Sequence, residues 1–215
     1  MPTPIATIAS QTASLTIAVF DASTAGAWVP TKAAATKAQF TGHPADIMRG
    51  LGKGEELTAI DVGASAGFAF ELEGKSGRIE VYRVDAATVA LVAPPRAWWN
   101  DAANHGAHAN EIEALFVDAL EADGPDAATE LGELELSSGK LAAVYMWHKK
   151  VGAARELAAA VSSGGALAFG DGYGEREGGV VVDLGPGKHR LLKRELDAPW
   201  DDGPSLVVMY FVRED

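Results

Sequence analysis

The chain has 215 residues, 30 acidic against 18 basic, a formal net charge of −12 and no cysteine. A chain of this length forms one large domain or two small ones and needs no metal or disulfide to hold its core. Disulfides, thiolate nucleophiles and cysteine-ligated zinc are excluded, and with no basic stripe to release phosphate counterions, neither nucleic acid nor an anionic membrane surface is an expected partner.

Strand patterns dominate. Leu15, Ile17 and Val19 alternate with smaller residues, as a half-buried strand does. Similar patterns cover 68–72, 79–84, 89–92, 141–146, 167–169, 180–184, 191–196 and 206–212, with Gly, Pro and Asp between most of them. Three helices interrupt. A short one starts at Pro44 and a second covers about 153–161. The clearest covers 111–122, where Ile112, Leu115, Phe116, Ala119 and Leu120 form one apolar stripe. Asn110 is placed to cap that helix, with Glu113 completing a capping-box-like pair, and Gly124-Pro125 stops it. The longest apolar run, 206–212, is far below the roughly 20 residues of a membrane-spanning helix. An N-terminus without a basic leader pattern points to a cytoplasmic protein.

Residues 67–86 laid over 179–198, an offset of 112, match at Gly67/Gly179, Leu72/Leu184, Arg78/Arg190, Asp85/Asp197 and Ala86/Ala198. Phe70/Val182, Glu71/Asp183, Ile79/Leu191 and Val84/Leu196 are conservative. Each stretch reads strand, turn, strand, which predicts two matching hairpins and an internal duplication. The expected fold is α+β and strand-rich, with two similar antiparallel units, each carrying a short helix, at 1–100 and 129–215. The acidic helix, within 101–128, joins them, and the units pack as one body.

Several motifs offer chemistry. Gly63-Ala64-Ser65-Ala66-Gly67 fits the Gly-x-Ser-x-Gly elbow of serine hydrolases, which needs a strand before it and a helix after it. Strand-like residues precede Ser65, but 68–72 alternates like another strand, so Ser65 is not expected to be a nucleophile. Its partners would come from Asp85 or Asp101 with His105 or His108. Gly74-Lys75-Ser76 lacks the first glycine of a phosphate loop. The run 170–174 has neither dinucleotide-binding nor calcium-loop spacing. Asn100, Asp101, His105, His108, Glu111 and Glu113 carry metal-ligand chemistry, but Gly106 separates the histidines, and the stretch reads as a solvated approach to the helix. No metal or cofactor is expected.

Binding is the stronger theme. Residues 111–130 hold Glu111, Glu113, Asp118, Glu121, Asp123, Asp126 and Glu130 with no Lys or Arg. Such a face speeds encounter with a basic partner. Arg96, Trp98 and Trp99 are residue types that anchor interfaces. These features predict a non-enzymatic binding protein for another, basic, protein, through Arg96, Trp98, Trp99, Glu111, Asp118, Glu121 and Asp123. An immunity-type inhibitor of a bacterial toxin is one concrete form. The alternatives are a small-ligand module between the units, using Trp98, Trp99, Asp171 and Tyr173, and a hydrolase using Ser65. The sequence leaves oligomeric state open.

Overall fold

Alternation of apolar and polar residues builds two antiparallel six-stranded sheets whose facing sides share one core. The computed structural model describes residues 2–9, 15–27, 56–72, 78–93, 108–145, 165–170, 175–198 and 205–214. The expected helices at 44–50 and 153–161 lie outside them.

The first half contributes β1 (Ala6–Ala9), β2 (Leu15–Asp21), β3 (Thr58–Val62), β4 (Ser65–Leu72), β5 (Arg78–Arg83) and β6 (Thr88–Ala93). The second contributes β7 (Thr129–Leu136), β8 (Lys140–Tyr145), β9 (Gly165–Gly170), β10 (Glu175–Asp183), β11 (Gly187–Leu196) and β12 (Leu206–Arg213). One sheet has the order β1-β5-β6-β12-β11-β7 and the other β3-β4-β2-β8-β10-β9. Each sheet thus takes three adjacent strands from each half, and the halves meet along one seam in each sheet, β6 with β12 and β2 with β8. Exchanging β1–β6 for β7–β12 reproduces both orders read from the opposite edge.

The registers obey the same exchange. Phe70 stands opposite Ile17, and Val182 opposite Leu141. Ile79 stands opposite Ile8, and Leu191 opposite Gly132. Phe70/Val182 and Ile79/Leu191 are pairs of the sequence alignment. Val19 faces Phe68 while Ala143 faces Val180, so Val19 and Ala143 are counterparts, and they also stand opposite each other. Leu91 and Met209 are counterparts in the other sheet, facing Val81 and Lys193, and also stand opposite each other. A pseudo-two-fold relation therefore passes between Val19 and Ala143 in one sheet and between Leu91 and Met209 in the other. All four side chains belong to the core between the sheets.

The expected hairpins at 67–86 and 179–198 are not hairpins. β4 and β10 lie in one sheet, β5 and β11 in the other, so each stretch crosses the sandwich. Inward Phe70 and Leu72 leave one sheet and inward Ile79 and Val81 enter the other, all fully buried. Both crossings occupy equivalent places in their halves. At the second, Gly185 and Gly187 have positive φ of 79° and 126° around Pro186, a backbone that glycine reaches without steric cost.

The clear helix, α1, spans Ala109–Leu120, two residues earlier than its pattern predicted. Asn110 lies inside it; the N-cap position is His108, whose side chain makes no capping bond. α1 lies on the outer face of the β1-β5-β6-β12-β11-β7 sheet. Its Ile112, Phe116 and Ala119 pack on Tyr82, Ala90 and Val92 from the first half and on Leu192, Leu196, Leu206, Val208 and Tyr210 from the second. The described part of the molecule is thus three layers deep: sheet, sheet, helix. No described helix is long and apolar enough to cross a membrane.

Candidate functional site

α1 is seated by its apolar stripe, and the same stripe decides which acids face outward. Phe116 is fully buried and meets Tyr82 edge-on, ring centroids 6.0 Å apart. The Tyr210 hydroxyl donates a 2.9 Å hydrogen bond to the Ala119 carbonyl in the last turn. Burial pushes the Tyr210 phenol up from its usual range, so it stays protonated as that bond requires. Gly124 follows in the 3-10 turn Gly124–Ala127, backed against the carbonyls of Ala119 and Asp118.

Glu111, Glu113, Asp118, Glu121, Asp123 and Asp126 are exposed. Among them stands Val117, 45% exposed, one of two large exposed hydrophobic residues among those described. The acids are not all uncompensated, as the chain order had suggested. Asp118 accepts a 2.8 Å bond from the Arg194 guanidinium on β11, whose side chain is only 17% exposed. Glu130 lies 3.7 Å from Arg190. Both cations come from a strand sixty or more residues later, so no local charge count reveals them. The Asp118–Arg194 pair ties the helix to the sheet. The outward charge is carried by Glu111, Glu113, Glu121, Asp123 and Asp126.

Arg96, Trp98, Trp99, Asp171 and Tyr173 lie outside the described residues, as do Asn100, Asp101 and His105 of the metal-like cluster. Among the described residues no group of three or more His, Asp or Glu side chains is arranged to hold a metal ion.

Ser65 is the first residue of β4. It follows Gly63-Ala64, a tight turn between two paired strands in which Gly63 has φ 66°. A strand–turn–strand places the hydroxyl beside a ladder rather than at a helix N-terminus, which is the feature that polarises the oxyanion in the elbow. Asp85 sits in the β5–β6 turn of the other sheet, where its carboxylate accepts the Ala87 amide at 2.7 Å.

Two buried polar groups escaped the sequence reading. Asp21, at the end of β2, accepts bonds from the Ser138 amide at 2.8 Å, the Ser138 hydroxyl at 2.5 Å and the Ser23 amide at 2.8 Å. Burial alone would raise its carboxyl, but these donors outweigh burial and hold it below the usual carboxylate range. The group clasps the β7–β8 turn to the first half. His189, on β11, is fully buried between the sheets. Its Nδ1 lies 3.0 Å from the Gly187 carbonyl, and its Nε2 has no protein partner among the described residues. Burial pushes this imidazole down, and Arg213 opposite it adds to the effect. Neither group has a sequence signature, because their isolation or pairing arises from the crossing of distant strands.

No family model, curated protein or solved structure matches the chain.

Proposed function

We propose that the chain is a non-enzymatic binding protein whose outward α1 face docks a basic protein. One observation carries this reading: an exposed apolar residue, Val117, stands between Glu113 and Glu121, each about one helical turn away, on a helix held from behind by Phe116, Tyr210 and Arg194. Interfaces commonly place an apolar centre within a polar rim, and like charges around it select the sign of the partner and speed its approach. The helix needs no rearrangement to present them, since Phe116, Tyr210 and Arg194 fix it to the sheet. An inhibitor of a basic toxin, acting in the cytoplasm, is one form of this activity. The two-fold relation of the halves is read as a duplication, joined through α1 between units at 1–100 and 129–215. The repeated strand order and the shared glycine sites support it.

The test uses a fluorescent helical peptide with Lys and Leu on opposite faces. The triple variant Glu111→Lys, Glu121→Lys and Asp123→Lys should associate several-fold more slowly and with a flatter salt dependence, because charges beyond about 8 Å are screened at physiological salt. Asp118 is left unchanged because Arg194 needs it. Equal association rates at low and high salt for both proteins would reduce the acidic face to ordinary solvation.

A further inference from the structure

Three features of the described structure carry chemistry beyond the α1 face: the Asp21 clasp, the buried His189 and the seam between the halves. In the clasp both carboxylate oxygens of Asp21 already accept hydrogen bonds from Ser23 and Ser138. His189 is enclosed by β7, β11 and β12 and offers only a response to acid. The seam reaches further.

The halves are held to each other by main-chain pairing in both sheets, β2 with β8 and β6 with β12. Only the connection between Ala93 and Thr129 makes the pairing intramolecular, and α1 lies on that connection. Its polar ties, Tyr210 to Ala119 and Arg194 to Asp118, both reach the second half. The helix can therefore travel with that half. Strands make most of the contacts across the seam; the 3-10 turn Ala22–Ala27 against β8, the Asp21 bonds to Ser138 and α1 against Tyr82, Ala90 and Val92 add to them and would be remade in the exchanged pair.

We infer that the seam accepts a second copy of this chain: two chains exchange halves, so that β2 and β6 of each pair with β8 and β12 of the other, giving a closed dimer with the same registers. Each exchanged half recovers the hydrogen bonds and apolar contacts of the monomer, so the balance is set by concentration rather than by new contacts. This is domain swapping, a low-cost route to a symmetric dimer. The connection holds the two halves at an effective concentration on the order of mM. Exchange should then involve about one chain in a hundred on refolding at roughly 10 µM and become comparable with the monomer near 1 mM. The charge of −12 on each chain opposes association, so added salt should raise the dimer fraction. The inference rests on the paired halves and is independent of what binds the acidic face.

The absence of cysteine allows a direct test. Leu91 and Met209 stand opposite each other and are each 1% exposed, so surface collisions cannot join them. The single variants Leu91→Cys and Met209→Cys are mixed, unfolded together in guanidinium, refolded at rising concentration and oxidised. Val19→Cys with Ala143→Cys repeats the experiment in the other sheet, in case the first pair does not fold. The double variants of each pair show that the bridge can close within one chain. The expected result is a covalent dimer in the mixtures, rising roughly tenfold relative to monomer for each tenfold in refolding concentration while exchange is rare, and absent from each single variant refolded alone. Internal bridging in a double variant with no covalent dimer in its mixture overturns the inference. So does a dimer formed by one single variant alone, which requires like halves to pair. Failure of both double variants to bridge internally overturns the registers beneath it.

Discussion

The two halves meet the same helix at equivalent positions with different chemistry. Tyr82 on β5 and Arg194 on β11 correspond under the alignment. Tyr82 presents a ring to Phe116, and Arg194 presents a guanidinium to Asp118. Between the sheets several pairs stay apolar, Phe70 with Val182, Ile79 with Leu191 and Leu91 with Met209, all buried, while Val81 is matched by Lys193 and Gly77 by His189. A single helix cannot look the same from both sides of a two-fold relation. The helix therefore forces divergence on the outer face, while on the inner face divergence is confined to single positions such as Val81/Lys193 and Gly77/His189.

Gly67 and Gly179 give the strongest means of breaking this comparison. A Cβ added at Gly67 would stand 2.7 Å from the Val19 carbonyl oxygen and 3.0 Å from the Phe20 Cβ. At Gly179 it would stand 2.8 Å from the Ala143 carbonyl oxygen and 2.9 Å from Val144. Val19/Ala143 and Phe20/Val144 are counterparts, so both glycines meet the same obstacle. Backbone oxygens cannot turn away as a flexible side chain does. Gly67→Ala and Gly179→Ala should each destabilise by about 1–3 kcal/mol, the usual range for overpacking. Chemical denaturation should find costs of similar size. A large cost at one site and none at the other would mean that the two crossings are not equivalent.

A smaller effect sharpens the comparison. His189 corresponds in sequence to Gly77, so only the second half buries an imidazole. Burial keeps it neutral in the fold, while the unfolded chain takes up a proton near pH 6.5. The unfolded state then binds more protons below that pH, and stability falls as pH drops from about 6.5, by at most about 1.4 kcal/mol per pH unit from this group. His189→Leu should flatten the slope between pH 7 and 5. An unchanged slope in the variant would mean that His189 titrates in the fold as freely as in the unfolded chain.

Much of the sheet structure was legible in the sequence, for physical reasons. Strands flanked by turns and rich in Val, Leu, Ile and Phe announced themselves, and the Gly67/Gly179 match marked a steric need rather than a chance identity. β1 and β7, the edge strands of one sheet, did not. β1 has only four residues, and β7 is the run Thr129–Leu136, whose Glu130, Glu133 and Glu135 favour strands poorly although Leu134 and Leu136 alternate inward. The destination of a strand after a turn is also invisible to local pattern: a hairpin and a crossing between sheets share the same alternation. The acidic face was visible as composition. Its partial neutralisation by Arg194 and Arg190 was not, because those cations arrive through the fold.

Cross-strand nuclear Overhauser effects in the intact chain test the two-fold arrangement most directly. Val19 should show backbone contacts to Ala143, and Leu91 to Met209, with Phe68–Val19 and Val180–Ala143 contacts reproducing each other across the two halves. Contacts that pair β2 with a strand other than β8 on its second side, or that shift one seam register by a residue, would contradict the account, since a one-residue slip turns every side chain of that strand to the opposite face.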